Sequence, residues 1–252
     1  AKNAPISEQI KVLEEYKEKE FDIITGTVLR KDKGMVFVNL GKIEGVITEK
    51  EQIPGEEYPF NSKLKLYIVE VKEGSKGAQV HVSRTHPGLV KRLFELEVPE
   101  IFDGTVEIKS ISREPGSRSK IAVYSNDESV DAMGACVGTK GARVQNIVNE
   151  LKNEKIDIIK WSKDPKEFIS NSLSPAKVLS VDIDEENKSA KVVVDDNQLS
   201  LAIGKEGQNV RLAAKLTNWK IDIKSKSQAE KEAALEETEE NNSEEMSTTV
   251  TE

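Results

Sequence analysis

The quartets Gly138-Thr139-Lys140-Gly141 and Gly204-Lys205-Glu206-Gly207 are the residues of this chain best suited to chemistry. Two glycines bracketing a two-residue turn let the backbone reverse sharply and remove the Cβ atoms that would hold a ligand away. A helix beginning at the second glycine aims its free N–H groups and positive dipole end at the turn, which suits a phosphate. Lys140, Arg143, Lys205 and Arg211 place positive charge around the two turns, and Gln208 and Asn209 complete the candidate set. A single quartet is weak evidence, because glycine pairs also make ordinary tight turns between helices. Two in one frame, both with basic flanks, favour a phosphate cradle. Val137, Val144, Ile147 and Leu151, with Ile203, Val210, Ala213 and Leu216, recur every three or four residues and are expected to face the core.

Other chemistries find little support. The stretch Gly134-Ala135-Cys136-Val137-Gly138-Thr139-Lys140 looks like a nucleotide phosphate loop but breaks the Gly-x4-Gly-Lys-Ser/Thr spacing. One Cys and two His exclude a disulfide scaffold and a Cys/His zinc site and fit a reducing, cytoplasmic compartment. No paired His, Ser–His–Asp order or metal-ligand cluster stands out, so no catalytic residue, metal or cofactor is expected. Cys136 reads as a small buried residue, His81 as a strand residue, His86 as a turn residue, and Trp161 and Trp219 as core or interface. No apolar run approaches the ~18 residues of a membrane span, and no leader is expected at the start. The formal charge of −8 divides unevenly: residues 226–252 hold nine acids and two lysines, leaving a nearly neutral body. Local patches must therefore decide the partners.

The elements that position these residues can be read in order along the 252 residues. Residues 6–20 have helical spacing. The period then changes to two, and segments 22–31, 35–40, 44–48, 63–71 and 78–83 are rich in Val and Ile and broken by glycine or proline turns. Five short strands in about 65 residues favour a small closed barrel of the OB type over a thinly packed sandwich. On it, Phe37 and Tyr67 are candidates for stacking bases, with Lys31, Lys33 and Arg84 near a phosphate path; the alternative for Phe37 is an inward core position. A helix entered through Pro87 follows, then strands over 104–113 and 120–125, a helical stretch holding Gly138, and a strand over 155–161. Pro165 restarts the same order: helix 166–173, strands 177–184 and 190–195, a helical stretch holding Gly204, and strand 219–224. Val137-Gly138-Thr139-Lys140-Gly141 lies 66 positions before Ile203-Gly204-Lys205-Glu206-Gly207. Two copies of an αββααβ unit is the organising fact of the sequence. From about residue 227 the chain is Glu, Ser, Thr and Asn, and a solvated, disordered acidic tail is expected.

With these strings on view, both quartets look like the signature loops of tandem KH domains of the bacterial type. Ser83-Arg84-Thr85-His86-Pro87-Gly88-Leu89, Asn149-Glu150-Leu151-Lys152-Asn153-Glu154-Lys155-Ile156-Asp157-Ile158, and the run from Ile203 to Ala213 narrow the likeness. Together with the preceding S1-type barrel they resemble the NusA family of bacterial transcription elongation, termination and antitermination factors, over about residues 1–225. The resemblance implies an α+β multidomain chain: a helix left from an absent N-terminal domain (1–20), an S1 barrel (21–86), two KH domains (87–163 and 164–225) and the tail (226–252). It implies a monomeric, non-catalytic protein that holds single-stranded nascent RNA along an S1–KH–KH surface and modulates pausing, termination and antitermination. Its implied partners are RNA, RNA polymerase (mainly through the absent domain) and other antitermination factors, with no membrane. A rival reading is an accessory RNA-binding module of an RNA-degradation or RNA-processing system. Two departures matter: Glu206 opposes a phosphate at the second loop, and Asp131-Ala132-Met133 stands where the family often has Asp-Pro-Val.

Overall fold

A computed structural model describes residues 4–74 and 77–248. The chain divides into two compact units, Ala1–Ile158 and Ile159–Glu252. The first unit opens with α1 (Ile6–Glu18), followed by β1 (Ile23–Asp32), β2 (Met35–Asn39), β3 (Glu44–Ile47), β4 (Lys63–Gly74) and β5 (Gly77–Ser83). These strands close into a barrel of order β1-β2-β3-β5-β4, antiparallel except for the parallel β3–β5 pair. The alternation in β2 decides which side faces in: Val36 and Val38 are fully buried and Phe37 turns outward. Register shifts at Val28/Arg30 and Ile68/Glu70 bend β1 and β4, as closure of a short barrel requires.

The barrel does not end at its strands. Leu13 and Tyr16 of α1 lie in the same core as Val28, Ile47, Leu66, Ile68 and Val80. Tyr16 Oη donates to the Leu40 carbonyl at 2.8 Å and accepts the Lys42 N–H at 3.1 Å. The second half of α1 is thus structurally part of the barrel.

The first KH domain follows, all but the end of its last strand in the same compact unit: α2 (Pro87–Glu97), α3 (Pro99–Phe102), β6 (Val106–Glu114), β7 (Arg118–Ser125), α4 (Ala132–Val137), α5 (Ala142–Glu150) and β8 (Lys155–Lys160). Its sheet has the order β6-β7-β8. Leu89, Val90, Leu93 and Phe94 bury one face of α2 against Ile121, Val123, Cys136, Ile147 and Leu151. His86 starts that helix: its Nδ1 accepts the Gly88 N–H at 2.9 Å, and Pro87 occupies the first turn.

The second unit repeats the plan with α6 (Pro165–Ser172), β9 (Ser180–Asp184), β10 (Ser189–Val194), α7 (Leu199–Ile203), α8 (Gln208–Thr217) and β11 (Lys220–Ser225). β10 lies between β9, antiparallel, and β11, parallel. Its core is Ile169, Leu173, Val192, Val194, Ala202, Ala213 and Trp219. The acidic tail follows. A helix, α9, spans Lys226–Thr248, with no buried residue in it. Ala, Glu, Lys, Gln and Leu favour helix locally, so a segment with no apolar face to bury still folds as one.

Candidate nucleic-acid interface

Each quartet forms a tight turn between two helices, α4 and α5 in the first copy and α7 and α8 in the second. The dihedrals of the two turns nearly coincide. Gly138 has φ 76°, ψ 175° and Gly204 has φ 79°, ψ 169°. Lys140 (55°, 28°) and Glu206 (54°, 27°) are both left-handed, and Gly141 and Gly207 share φ 75°, ψ 14°. A left-handed residue other than glycine costs of order 1–3 kcal/mol and persists only where its surroundings hold it. The first glycine of each turn is required by space as well as by its φ. A Cβ on Gly138 would stand 2.6 Å from Arg143 Cγ, and one on Gly204 would stand 2.6 Å from the Asn209 N. The second glycine has no such neighbour at Gly141, so only its positive φ demands glycine there.

The tips face solvent. Thr139, Lys140, Lys205 and Glu206 are exposed, while Gln208 is half-buried at the start of α8. The turns close on themselves through Gly141 N–H to Gly138 O and Gly207 N–H to Gly204 O, both 3.1 Å. α5 and α8 begin directly behind, so each exposed tip meets a helix N-terminus.

Two residues expected at the ligand are engaged within the protein. Asn209 is buried, its Nδ2 donating to Leu173 O at 3.0 Å and Ala202 O at 2.9 Å, which ties α8 to α6 and α7. Its Oδ1 is buried without a hydrogen-bond partner among the described residues. Arg143, the counterpart of Asn209 in the first copy, donates through Nη1 to Glu100 Oε2 at 2.9 Å and Ala135 O at 2.7 Å. It braces the loop from behind. Arg211, by contrast, is exposed beside its loop.

Arg84 is the clearest correction. It has no exposed surface and lies where the barrel meets the first KH domain, so it cannot line a phosphate path. Its Nε and Nη2 grip Glu56 at 2.9 and 2.8 Å, Nη1 reaches Lys65 O at 2.9 Å and Glu150 Oε1 at 3.3 Å, and Nη2 reaches Glu150 O at 2.9 Å. Burial works against its charge, but the hydrogen bonds and charge of Glu56, with Glu150 behind, raise its pKa above the ordinary guanidinium value. Nearby, Arg113 is locked to Glu154, both fully buried, and donates to His86 O at 3.0 Å. For Arg113 burial outweighs Glu154, and its pKa is lowered. Glu56, Glu150 and Glu154 escaped sequence reading, since partners 28, 66 and 41 residues away leave no local signal.

On the barrel, Lys31 and Lys33 are exposed, Lys33 at the left-handed corner of the β1–β2 turn. Phe37 is half-buried on the outer surface, with the Arg30 guanidinium 4.3 Å over its ring and Arg30 paired to Glu44 at 3.2 Å. Tyr67 is not a free stacking platform: it is buried and stacked on His86 at 4.5 Å. Burial pushes the Cys136 thiol up to about 12, so it is protonated at neutral pH. Trp219 lies in the core of the second unit, and Trp161 meets Phe168 edge-on at 6.4 Å.

Comparison with known proteins agrees with this layout. Residues 17–83 match the S1 RNA binding domain, 84–161 the NusA-like first KH domain and 165–231 the NusA-like second KH domain. The chain belongs to the NusA family. A transcription termination/antitermination protein NusA from Halalkalibacterium halodurans is 58% identical over 222 residues, covering 88% of this chain and 58% of that protein. The protein of the same name from Bacillus subtilis is 59% identical over 218 residues, covering 86% and 59%. That from Thermus thermophilus is 50% identical over 239 residues, covering 92% and 62%. The chain therefore spans about 60% of the length of these relatives. No helix among the described residues is long and apolar enough to cross a membrane.

Proposed function

We propose that this chain binds single-stranded RNA through the loops at 138–141 and 204–207, with the barrel surface around Lys31, Lys33 and Phe37 as a third contact. The observation that carries the reading is the coincidence of two exposed loops in one strained conformation, each opening onto a helix N-terminus. Backbone amides can there hold phosphates while neighbouring bases splay outward, and a KH module of this kind clamps about four nucleotides. The barrel adds charge and an aromatic edge, the means by which OB-type folds hold single strands. The RNA is the nascent transcript, and holding it modulates RNA polymerase pausing, termination and antitermination, the last two being the activities for which the relatives are named. RNA polymerase and other antitermination factors are the protein partners, and the chain acts as a non-catalytic monomer in the bacterial cytoplasm.

Replacing Thr139→Asp together with Lys140→Asp tests the assignment. Both side chains are exposed, so the melting temperature should move by no more than a few degrees while single-stranded RNA binding falls steeply. Undiminished affinity in a fluorescence titration would refute it.

A further inference from the structure

Compared at their 66-residue spacing, the two loops differ in where they carry charge. The left-handed corner is Lys140 in the first loop and Glu206 in the second, on dihedrals that agree within a degree. The left-handed corner thus exchanges a cation for an anion, while Lys205 stands where the first loop has the neutral Thr139. Four residues beyond the second glycine the exchange runs the other way: Gln145 in the first copy, Arg211 in the second. Their orientations differ too. Gln145 lies along its own helix, Nε2 donating to Asn149 Oδ1 at 2.9 Å. Arg211 turns back over the loop, Nη1 donating to the Glu206 carbonyl at 2.9 Å and lying 3.9 Å from where a Cβ on Gly207 would stand. The arginine of the first copy is no equivalent, because Arg143 is engaged beneath its loop with Glu100 and Ala135 O.

We propose that Arg211 supplies to the second loop the phosphate-contacting cation that Lys140 supplies to the first. The inference rests on the RNA-binding reading of both loops. A guanidinium presents five N–H groups in a planar fork, enough to hold the Glu206 carbonyl and a phosphate oxygen together. Contact from this position puts the phosphate over the first turn of α8, where the helix N–H groups point. It also keeps the phosphate away from the Glu206 carboxylate at the corner. The two modules then grip the same backbone chemistry with the cation in different places, so their responses to substitution are not interchangeable.

The test uses the full chain carrying Thr139→Asp and Lys140→Asp, so that the second loop dominates binding of a labelled ten-nucleotide mixed-sequence RNA. Arg211→Gln should lower affinity about tenfold, the scale of one charge-assisted hydrogen bond. It should also flatten the log–log salt dependence by about 0.7, the increment for one phosphate on a single strand. Adding Glu206→Lys to Arg211→Gln puts a cation at the left-handed corner, as in the first loop, and should recover most of the affinity and the slope. If Arg211 only braces the loop through the Glu206 carbonyl, Arg211→Gln will weaken binding with an unchanged slope, and Glu206→Lys will not rescue it. That result overturns the proposal, as does unchanged affinity. Lys205→Asp separates the two ideas. If it weakens binding while Arg211→Gln does not, the inference alone fails; if neither it nor the first-loop pair has any effect, the RNA-binding reading fails.

Discussion

Removing the Arg84 side chain should cost the first compact unit about 3–5 kcal/mol. Arg84→Met keeps most of the volume but leaves Glu56, whose side chain is 1% exposed, with no cation against it. Breaking a buried pair from one side typically costs that much, because the remaining charge is desolvated without compensation. The change also removes donors from Lys65 O and from both the carboxylate and the carbonyl of Glu150. Against a domain stability of 5–15 kcal/mol the loss is large but need not unfold the protein. The double variant Arg84→Met, Glu56→Met removes both charges. It should recover more than half of the loss, since apolar replacement of a buried pair is often neutral or better.

The assay must report the correct unit. Both tryptophans, Trp161 and Trp219, lie in the second unit, so their fluorescence transition in urea serves as an internal control and should stay where it is. Native-state hydrogen exchange resolved to β5 and α5 reads the first unit, where protection should drop by the amount above. The last turn of α5 is especially informative, because it ends at Glu150 while the helix begins at the loop ~13 Å away, at 1.5 Å per residue. If Arg84→Met loses less than about 1 kcal/mol, or the double variant is as unstable as the single, the buried pair is not what joins the barrel to the first KH domain.

Other outcomes follow from single contacts. Gly138→Ala meets Arg143 Cγ at 2.6 Å as well as a positive φ, whereas Gly141→Ala meets only the φ. Thermal melts should therefore show the first costing more, about 2–4 kcal/mol against about 1. Tyr16→Phe strands the Leu40 carbonyl and the Lys42 N–H at the base of the barrel, and denaturation should show a loss of about 1–3 kcal/mol. Burial alone would raise the Asp157 pKa, but Arg118 and Lys120 outweigh it and hold the carboxyl below its ordinary 3.8. A depressed carboxyl pKa adds stability above that value which disappears as pH falls through the folded value. In Asp157→Asn the loss of stability on acidification below about pH 4 should accordingly be shallower than in the unsubstituted chain, as pH-dependent melting would record.

The parts of this molecule legible in sequence are those fixed over short distances. The five barrel strands, the duplicated αββααβ order and both glycine turns declare themselves through alternation, turn residues and positive-φ glycines, and the structure places them within a few residues of expectation. Side-chain roles are another matter. Arg84 reads as one more cation among strands, yet its partners sit on a loop 28 residues earlier and a helix end 66 residues later. Phe37 shows the same limit: Val36-Phe37-Val38 has an evident period of two, but which parity faces inward depends on how the sheet closes. In the tail, the helix Lys226–Thr248 buries nothing, because propensity and amphipathicity are separate properties.

The duplication itself carries information that neither copy holds alone. Position for position, the shared loop conformation shows what the turn requires, and the residues that differ show what each copy does with it. Lys140 against Glu206 is visible in the sequence as a charge reversal and suggests a weaker second clamp. Gln145 against Arg211 is visible as well, but it becomes a compensation only once one side chain is seen to run along its helix and the other to fold back onto its loop. On the proposed reading, the functional difference between the modules depends on rotamers a turn away from the motif. A motif-centred reading offers two candidate phosphate cradles and cannot say which atom holds the charge in each.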